Sequence, residues 1–223
     1  MRVLTVSGER FNIKMTELIN GRTVLTTPFS DEDIRALRAG DVIFINGDVV
    51  TGRDDVHIRV TGEGMDLPAE IRGKALMHAG PIVTGSAESG YGMISIGPTT
   101  SMRMERFEYD FIKKTGVRLI IGKGGMGTRT AEACSEFGAV HCVLPAGNAV
   151  VAALCTEKIT GVDWLDLGMP EALWNIRVKE LGPLIVSIDT SGENLFDGKK
   201  KDYAIRKEDQ LQKIIEELGS VLK

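Results

Sequence analysis

The chain has 223 residues, 43% hydrophobic and 26% charged, with a formal net charge of −4. That length can bury a substantial core in one large domain, and the mild acidity gives no general attraction to nucleic acid or to an anionic membrane surface. No apolar run approaches the roughly 20 residues of a membrane span. Met1–Glu9 lacks the basic-then-apolar order of a secretory leader, and the odd set Cys134, Cys142 and Cys155 does not suit a disulfide framework, so a reducing cytoplasm is expected.

Arg2–Ser7 and Thr23–Thr27 are predicted as short strands. Ser30 then caps a predicted helix, with Asp33 three residues on and Gly40 just past its end. Asp41–Val50 is almost continuously apolar, the pattern of a strand covered on both faces. Ala75–His78, Ile82–Thr84 and Met93–Ile96 are short strands between Gly and Pro punctuation.

From there strands and helices alternate. Arg103–Lys114 is a predicted helix with Met104, Phe107 and Phe111 on one face and Gly116 as its stop. Val117–Ile121 is a buried strand, and Thr128–Phe137 a helix with Thr130, Ala133, Cys134 and Phe137 facing inward and Gly138 as its stop. Ala139–Leu144 is a strand, Asn148–Leu154 a short helix and Leu184–Ile188 a late strand. This alternation implies parallel pairing through right-handed crossovers. Lys199–Lys201 is read as a solvated turn. Leu211, Ile214, Ile215 and Leu218 predict a terminal amphipathic helix at about 206–222, packed on the body or on a partner. The whole, residues 1–223, is expected to form one domain.

Three segments at strand ends join glycines or hydroxyls to one cation each: Thr51-Gly52-Arg53-Asp54, Gly97-Pro98-Thr99-Thr100-Ser101-Met102-Arg103 and Gly122-Lys123-Gly124-Gly125-Met126-Gly127. Backbone N–H groups at a helix start together with Arg or Lys bind anions, so three such segments suggest a ligand with more than one carboxylate or phosphate. Gly122, Gly124 and Gly127 also fit the dinucleotide spacing G-x-G-x-x-G. The acidic residue expected about 20 positions on to hold the ribose is missing, because the next strand runs into Val143-Leu144-Pro145-Ala146-Gly147. The cysteines lack C-x-x-C or other ligand spacing, so the chain is not expected to hold a cluster or zinc alone. His57 follows the Arg53 segment and is read first as structural, second as an acid or base; His78 and His141 carry less signal.

In this order, Thr51-Gly52-Arg53-Asp54, Gly97 to Met104 and Gly122-Lys123-Gly124-Gly125 resemble the β subunit of class I fumarases and L-tartrate dehydratases, which is the C-terminal domain of the single-chain forms. The likeness extends to Ser30–Gly40, Asp166-Leu167-Gly168-Met169, Glu171–Trp174 and Ile185–Leu195, roughly residues 20–197; Leu144–Asn148 departs from the alanine- and glycine-rich turn of the family.

The resemblance implies a swivelling β/β/α domain, a mixed sheet with flanking helices. It implies reversible hydration of a small dicarboxylate, fumarate/malate, with L(+)-tartrate dehydration as the alternative. It also implies a hetero-oligomer in which a partner α subunit holds a [4Fe-4S] cluster by three cysteines. Arg53, Thr99, Arg103 and Lys123 match the family's substrate-binding positions, and Thr99 the position beside the carbon that gains or loses a proton. Against this stand a non-catalytic docking module and a nicotinamide-dependent enzyme, the latter resting on glycine spacing alone.

Overall fold

The computed structural model describes residues 16–19 and 21–221; the predicted strand Arg2–Ser7 lies outside them. The described chain begins with β1 (Thr16–Ile19), β2 (Arg22–Thr26), α1 (Asp31–Ala36), β3 (Val42–Thr51) and the short α2 (Asp54–His57). Next come β4 (Ala75–Met77), β5 (Ile82–Ser86), β6 (Gly90–Ser95), α3 (Glu105–Thr115), β7 (Leu119–Gly122), α4 (Thr128–Phe137) and β8 (Val140–Val143). It ends with α5 (Ala149–Leu154), β9 (Thr156–Asp163), β10 (Leu173–Ile188) and α6 (Leu195–Val221).

The fold is mixed α/β. Eight strands form a mixed sheet in the order β1-β2-β3-β4-β7-β8-β10-β9, with β5 and β6 as a separate hairpin. From β2 through β8 the neighbours are parallel. β10 is antiparallel to β9, to β8 and to β3. Because β10 reaches both β8 and β3, the strands β3, β4, β7, β8 and β10 close on themselves and leave no free edge among them.

Local chemistry accounts for most boundaries. Ser30 caps α1 by accepting from the Asp33 N–H at 3.1 Å. That helix ends at Leu37, whose N–H bonds the Ile34 carbonyl, rather than at the expected Gly40. Gly116 and Gly138, at φ of +68° and +69°, end α3 and α4 in the left-handed region that favours glycine. Arg103 belongs to a 3-10 turn, Ser101–Arg103, ahead of α3 rather than to that helix.

Two late elements differ from expectation. β10 is 16 residues long, not confined to 184–188. Its register shifts between Val178 and Leu181 and between Leu181 and Leu184 absorb Gly182-Pro183. α6 begins at Leu195 and takes in Lys199–Lys201, where Asp197 pairs with Lys200 at 3.2 Å instead of marking a turn. Its apolar residues Leu211, Ile214, Ile215 and Leu218 are exposed.

Alternation along the central strands sorts the interior into two layers. Ala75, Met77, Leu119, Ile121 and Cys142 pack with Ile43, Ile45, α1 and the hairpin. Leu76, Ile120 and Val50 pack with Val56, Met104, Phe111, Ile112 and Cys134 beneath α2, α3 and α4. No helix among the described residues is long and apolar enough to cross a membrane.

Candidate active site

β3 delivers Thr51-Gly52-Arg53-Asp54 at its C-terminal end. Thr51 is fully buried and accepts from the Trp174 N–H at 3.0 Å, which ties the turn to the start of β10. Gly52 is tightly enclosed, since a Cβ there would lie 3.1 Å from both Leu76 and Val56 and would push them aside. Arg53 stands at the start of α2 and pairs through Nη2 with Glu171 Oε1 at 2.9 Å. The other Glu171 oxygen accepts from the Asp55 N–H at 3.3 Å. Burial raises the Glu171 carboxyl against the opposing pull of these contacts. Arg53 Nε is buried and has no hydrogen-bond partner among the described residues.

The second segment docks onto the first and third through its backbone. The Thr99 N–H donates to the His78 carbonyl at 2.6 Å, the Lys123 N–H to the Thr99 carbonyl at 3.1 Å, and the Ser101 N–H to the Lys123 carbonyl at 3.1 Å. Side chains then cross-link the turns. Arg103 donates from Nε to Asp54 Oδ1 at 3.2 Å, from Nη2 to Asp54 Oδ2, and from Nη1 to Thr99 Oγ1 at 3.3 Å. Thr99 and Arg103 therefore touch, Asp54 links them to the Arg53 turn, and Lys123 joins through its backbone. The Lys123 amino group makes no ion pair among the described residues. The four residues form one rim of linked turns, in which Arg103 is exposed and Arg53, Thr99 and Lys123 are half-buried.

Asp54 and Glu171, the carboxylates that hold the two arginines, were not singled out from sequence. Asp54 lies inside the Thr51-Gly52-Arg53-Asp54 motif and Glu171 at the head of Glu171–Trp174, but Glu171 is more than a hundred residues from Arg53, where only the fold could show the pairing.

Beneath the rim lies a buried polar cluster. His57 Nε2 is 3.3 Å and His78 Nε2 3.4 Å from the same oxygen, Glu108 Oε2, and all three side chains are fully inaccessible. His57 Nδ1 faces the Arg53 carbonyl at 2.7 Å, and His78 Nδ1 faces Ser101 Oγ at 3.1 Å. These contacts meet an ion-pair distance without the angles of good hydrogen bonds at the Nε2 atoms. Burial alone would raise the Glu108 carboxyl, but His78 and His57 more than reverse this and hold it below the ordinary carboxylate range. Burial lowers His78, although Glu108 pulls it upward. Glu108 was legible in principle: it sits four residues after Met104 and three before Phe111, a charge on the apolar stripe of α3.

The glycine-rich third segment is filled from within the chain. Glu105 accepts from the Gly127 N–H at 2.7 Å, the Arg129 N–H at 3.0 Å and the Thr130 hydroxyl at 2.6 Å, and so occupies the start of α4. A Cβ on Gly122 would strike Ser101 Oγ, one on Gly125 would lie 2.8 Å from the Phe196 ring, and one on Gly127 2.6 Å from Glu105. Gly122, Gly125 and Gly127 admit neighbouring side chains, Gly124 faces open space, and the expected anion site at this helix start is already taken by the Glu105 carboxylate.

The cysteines do not fit a cluster. Cys134 and Cys142 are fully buried in α4 and β8, and burial pushes both thiols up, away from the thiolate a metal needs. Cys155 is half-buried, follows α5, and its Sγ lies 3.7 Å from the Glu180 carbonyl. His141 is buried against Ser187 Oγ at 2.6 Å, and burial, helped by His78, pushes it down to about 3.

A family model described as Fumarase C-terminus matches residues 8–199. The chain is 51% identical over 195 residues to a protein named L(+)-tartrate dehydratase subunit beta from Escherichia coli (strain K12), covering 87% of this chain and 96% of that one. It is 36% identical over 174 residues to a putative L(+)-tartrate dehydratase subunit beta from Methanocaldococcus jannaschii, covering 76% and 89%. It is 38% identical over 177 residues to a putative class I fumarate hydratase from Geobacillus stearothermophilus, covering 79% of this chain but 34% of that longer protein.

Proposed function

We propose, from the premise that the chain belongs to the fumarase C-terminus family, that it is the β subunit of an iron–sulfur hydro-lyase acting on a small dicarboxylate. It works with a cluster-bearing α subunit in a reducing cytoplasm, where Cys134, Cys142 and Cys155 stay as free thiols. The [4Fe-4S] cluster belongs to that partner, because the cysteines here are buried or dispersed.

The observation that carries the reading is the linkage of Arg53, Thr99, Arg103 and Lys123 in one rim. Dehydration next to a carboxylate requires that both carboxylates be held and that negative charge developing on one of them be stabilised. Three cations on one rim supply this. Arg53 has a buried Nε donor without a partner. Arg103 spends one edge on Asp54 and keeps Nη1 beside Thr99. The Lys123 amino group is unpaired among the described residues.

The Thr99 hydroxyl is a weak base on its own. Donation from the Arg103 guanidinium at 3.3 Å favours its alkoxide form, so Thr99 is assigned the proton transfer at the carbon next to the clamped carboxylate. With Arg103 exposed and the other three half-buried, the rim lacks the dry enclosure that favours such chemistry, which fits a site completed by the α subunit.

Fumarate/malate is the first substrate reading. L-tartrate is the second, favoured by the 51% identity to a tartrate dehydratase β subunit over nearly its full length. Both substrates have two carboxylates, so the rim does not separate them. The test is anaerobic purification of the chain with and without an α subunit, assayed on malate and L-tartrate. Turnover is expected only in the complex. Turnover by the chain alone, or a tartrate kcat/KM tenfold or more above that for malate, overturns the two-chain reading or the substrate order respectively.

A further inference from the structure

We propose that Glu108 is a positioning residue: one buried carboxylate, gripping His57 and His78 together, fixes the backbone from which Arg53, Thr99 and Lys123 are presented. This rests on the hydro-lyase reading of that rim.

Glu108 is a poor choice for stability. It sits at zero exposure among Met104, Phe111 and Ile112, and the His57 ring lies 4.3 Å from that of Phe111. Buried ion pairs generally stabilise no better than apolar side chains of the same volume. A leucine there would continue the apolar layer.

The hydrogen positions explain what the carboxylate does instead. An imidazole nitrogen 2.7 Å from a carbonyl oxygen can bond it only by donating, so His57 Nδ1 carries a hydrogen directed at Arg53. His57 Nε2 then needs a proton between itself and Glu108 Oε2, its own or the acid's, or two lone pairs would face each other at 3.3 Å. At His78 the Ser101 hydroxyl can donate to Nδ1, which leaves an Nε2–H for the same oxygen.

Each ring is thus a strut with Glu108 at its inner end. The outer end of one is the Arg53 carbonyl; the outer end of the other is the Ser101 side chain. The His78 carbonyl also takes the Thr99 N–H, while the Thr99 carbonyl and Ser101 N–H hold Lys123 on either side. Remove the carboxylate and both struts lose their common anchor, although no apolar contact of the sheet is broken.

Glu108→Gln and Glu108→Leu separate positioning from stability. In the reconstituted complex, both are expected to lower kcat/KM by about 10- to 100-fold, the scale of a small misplacement of reacting groups, with KM raised and iron content unchanged. In the isolated chain, hydrogen exchange at amides 52–57 and 97–104 is expected to quicken, while β8 and α4 stay protected. Glu108→Leu, which leaves both Nε2 atoms buried without an acceptor, should also melt below the wild type while still folding.

Wild-type exchange in those two segments overturns the proposal, as does kcat/KM within threefold of wild type. Failure of both variants to fold also overturns it, by making Glu108 a stability residue. So does a stoichiometric metal in the purified chain, because the three ligand atoms lie within 4.8 Å of one another and a metal ion is the rival occupant. If the wild-type complex turns over neither dicarboxylate, the hydro-lyase reading fails, and the exchange experiment still decides the role of Glu108.

Discussion

Two layers of the same sheet are buried alike and built differently. In one, Leu25, Ile45, Met77, Ile121 and Trp174 join a large hydrocarbon cluster reaching α1 and the hairpin. In the other, under α2, α3 and α4, Val50, Leu76 and Ile120 share space with His57, His78, Glu108 and His141. The hydrocarbon layer holds the strands together through contacts that many shapes could satisfy. The polar layer makes contacts with fixed donors and acceptors, and their outer ends are the turns carrying Arg53 and Thr99. The difference teaches that both sides of the sheet contribute burial, whereas the fixed donors and acceptors that reach the Arg53 and Thr99 turns lie on one side only.

The largest effect is expected on the rim above the polar layer. Arg53→Ala, Arg103→Ala and Lys123→Ala should each cost about 2–5 kcal/mol of transition-state binding, as when one partner of a desolvated charge pair is lost. That is roughly 30-fold to several thousand-fold in kcat/KM. Arg103→Lys should recover only part, because Lys lacks the planar fork that spans Asp54 and Thr99. Steady-state kinetics of the complex with iron content measured for each variant checks this. Three variants within threefold of wild type would show the cations to be ordinary surface charges.

Next comes Ile45→Ala, in the hydrocarbon layer at zero exposure. It should cost about 2–5 kcal/mol of stability by denaturant titration, with kcat/KM per folded complex within twofold of wild type. A large kinetic defect in the folded fraction would erase the division between the layers.

The smallest is a pH effect from the polar layer. Burial holds the His141 ring at about 3, against 6.5 in the unfolded chain. Folding thus favours the neutral ring. Its contribution is complete above pH 6.5 and declines as pH falls toward 3. Between pH 6.5 and 5 this amounts to about 2 kcal/mol. His141→Gln should flatten the stability profile in that window, and an unchanged slope would mean that His141 does not titrate there.

Much of this was legible in the sequence where signals were local. Thr128–Phe137 has its apolar residues at helical spacing and a glycine just beyond, and α4 spans those residues. Ser30 and Asp33 gave the start of α1. The sequence order of the three cationic segments carried the family resemblance, since β3, β6 and β7 each lead into one of them.

What was hidden depended on distant partners. Leu173–Val178 is a strand because β3 and β9 flank it, and the Gly182-Pro183 break hid its length. The glycines of 122–127 suggested a ligand because Ser101, Glu105 and Phe196, which fill the space, are far away in sequence. His78 gave almost no signal as a lone histidine at a strand end. It becomes informative only once Glu108 and Ser101 are seen on either side of its ring.

The pairing of Arg103 with Asp54 has a consequence for ligand choice. A tethered carboxylate already sits on two of the guanidinium donors, at an effective concentration set by the short chain path through the fold, on the order of millimolar or above for such tethering. A free carboxylate seeking that edge competes with one that never diffuses away. At Arg103 a monocarboxylate could only exchange one ion pair for another of equal kind. A molecule with a second carboxylate for Arg53 or Lys123 gains a contact that Asp54 cannot match, so the rim discriminates by counting charges before it measures shape.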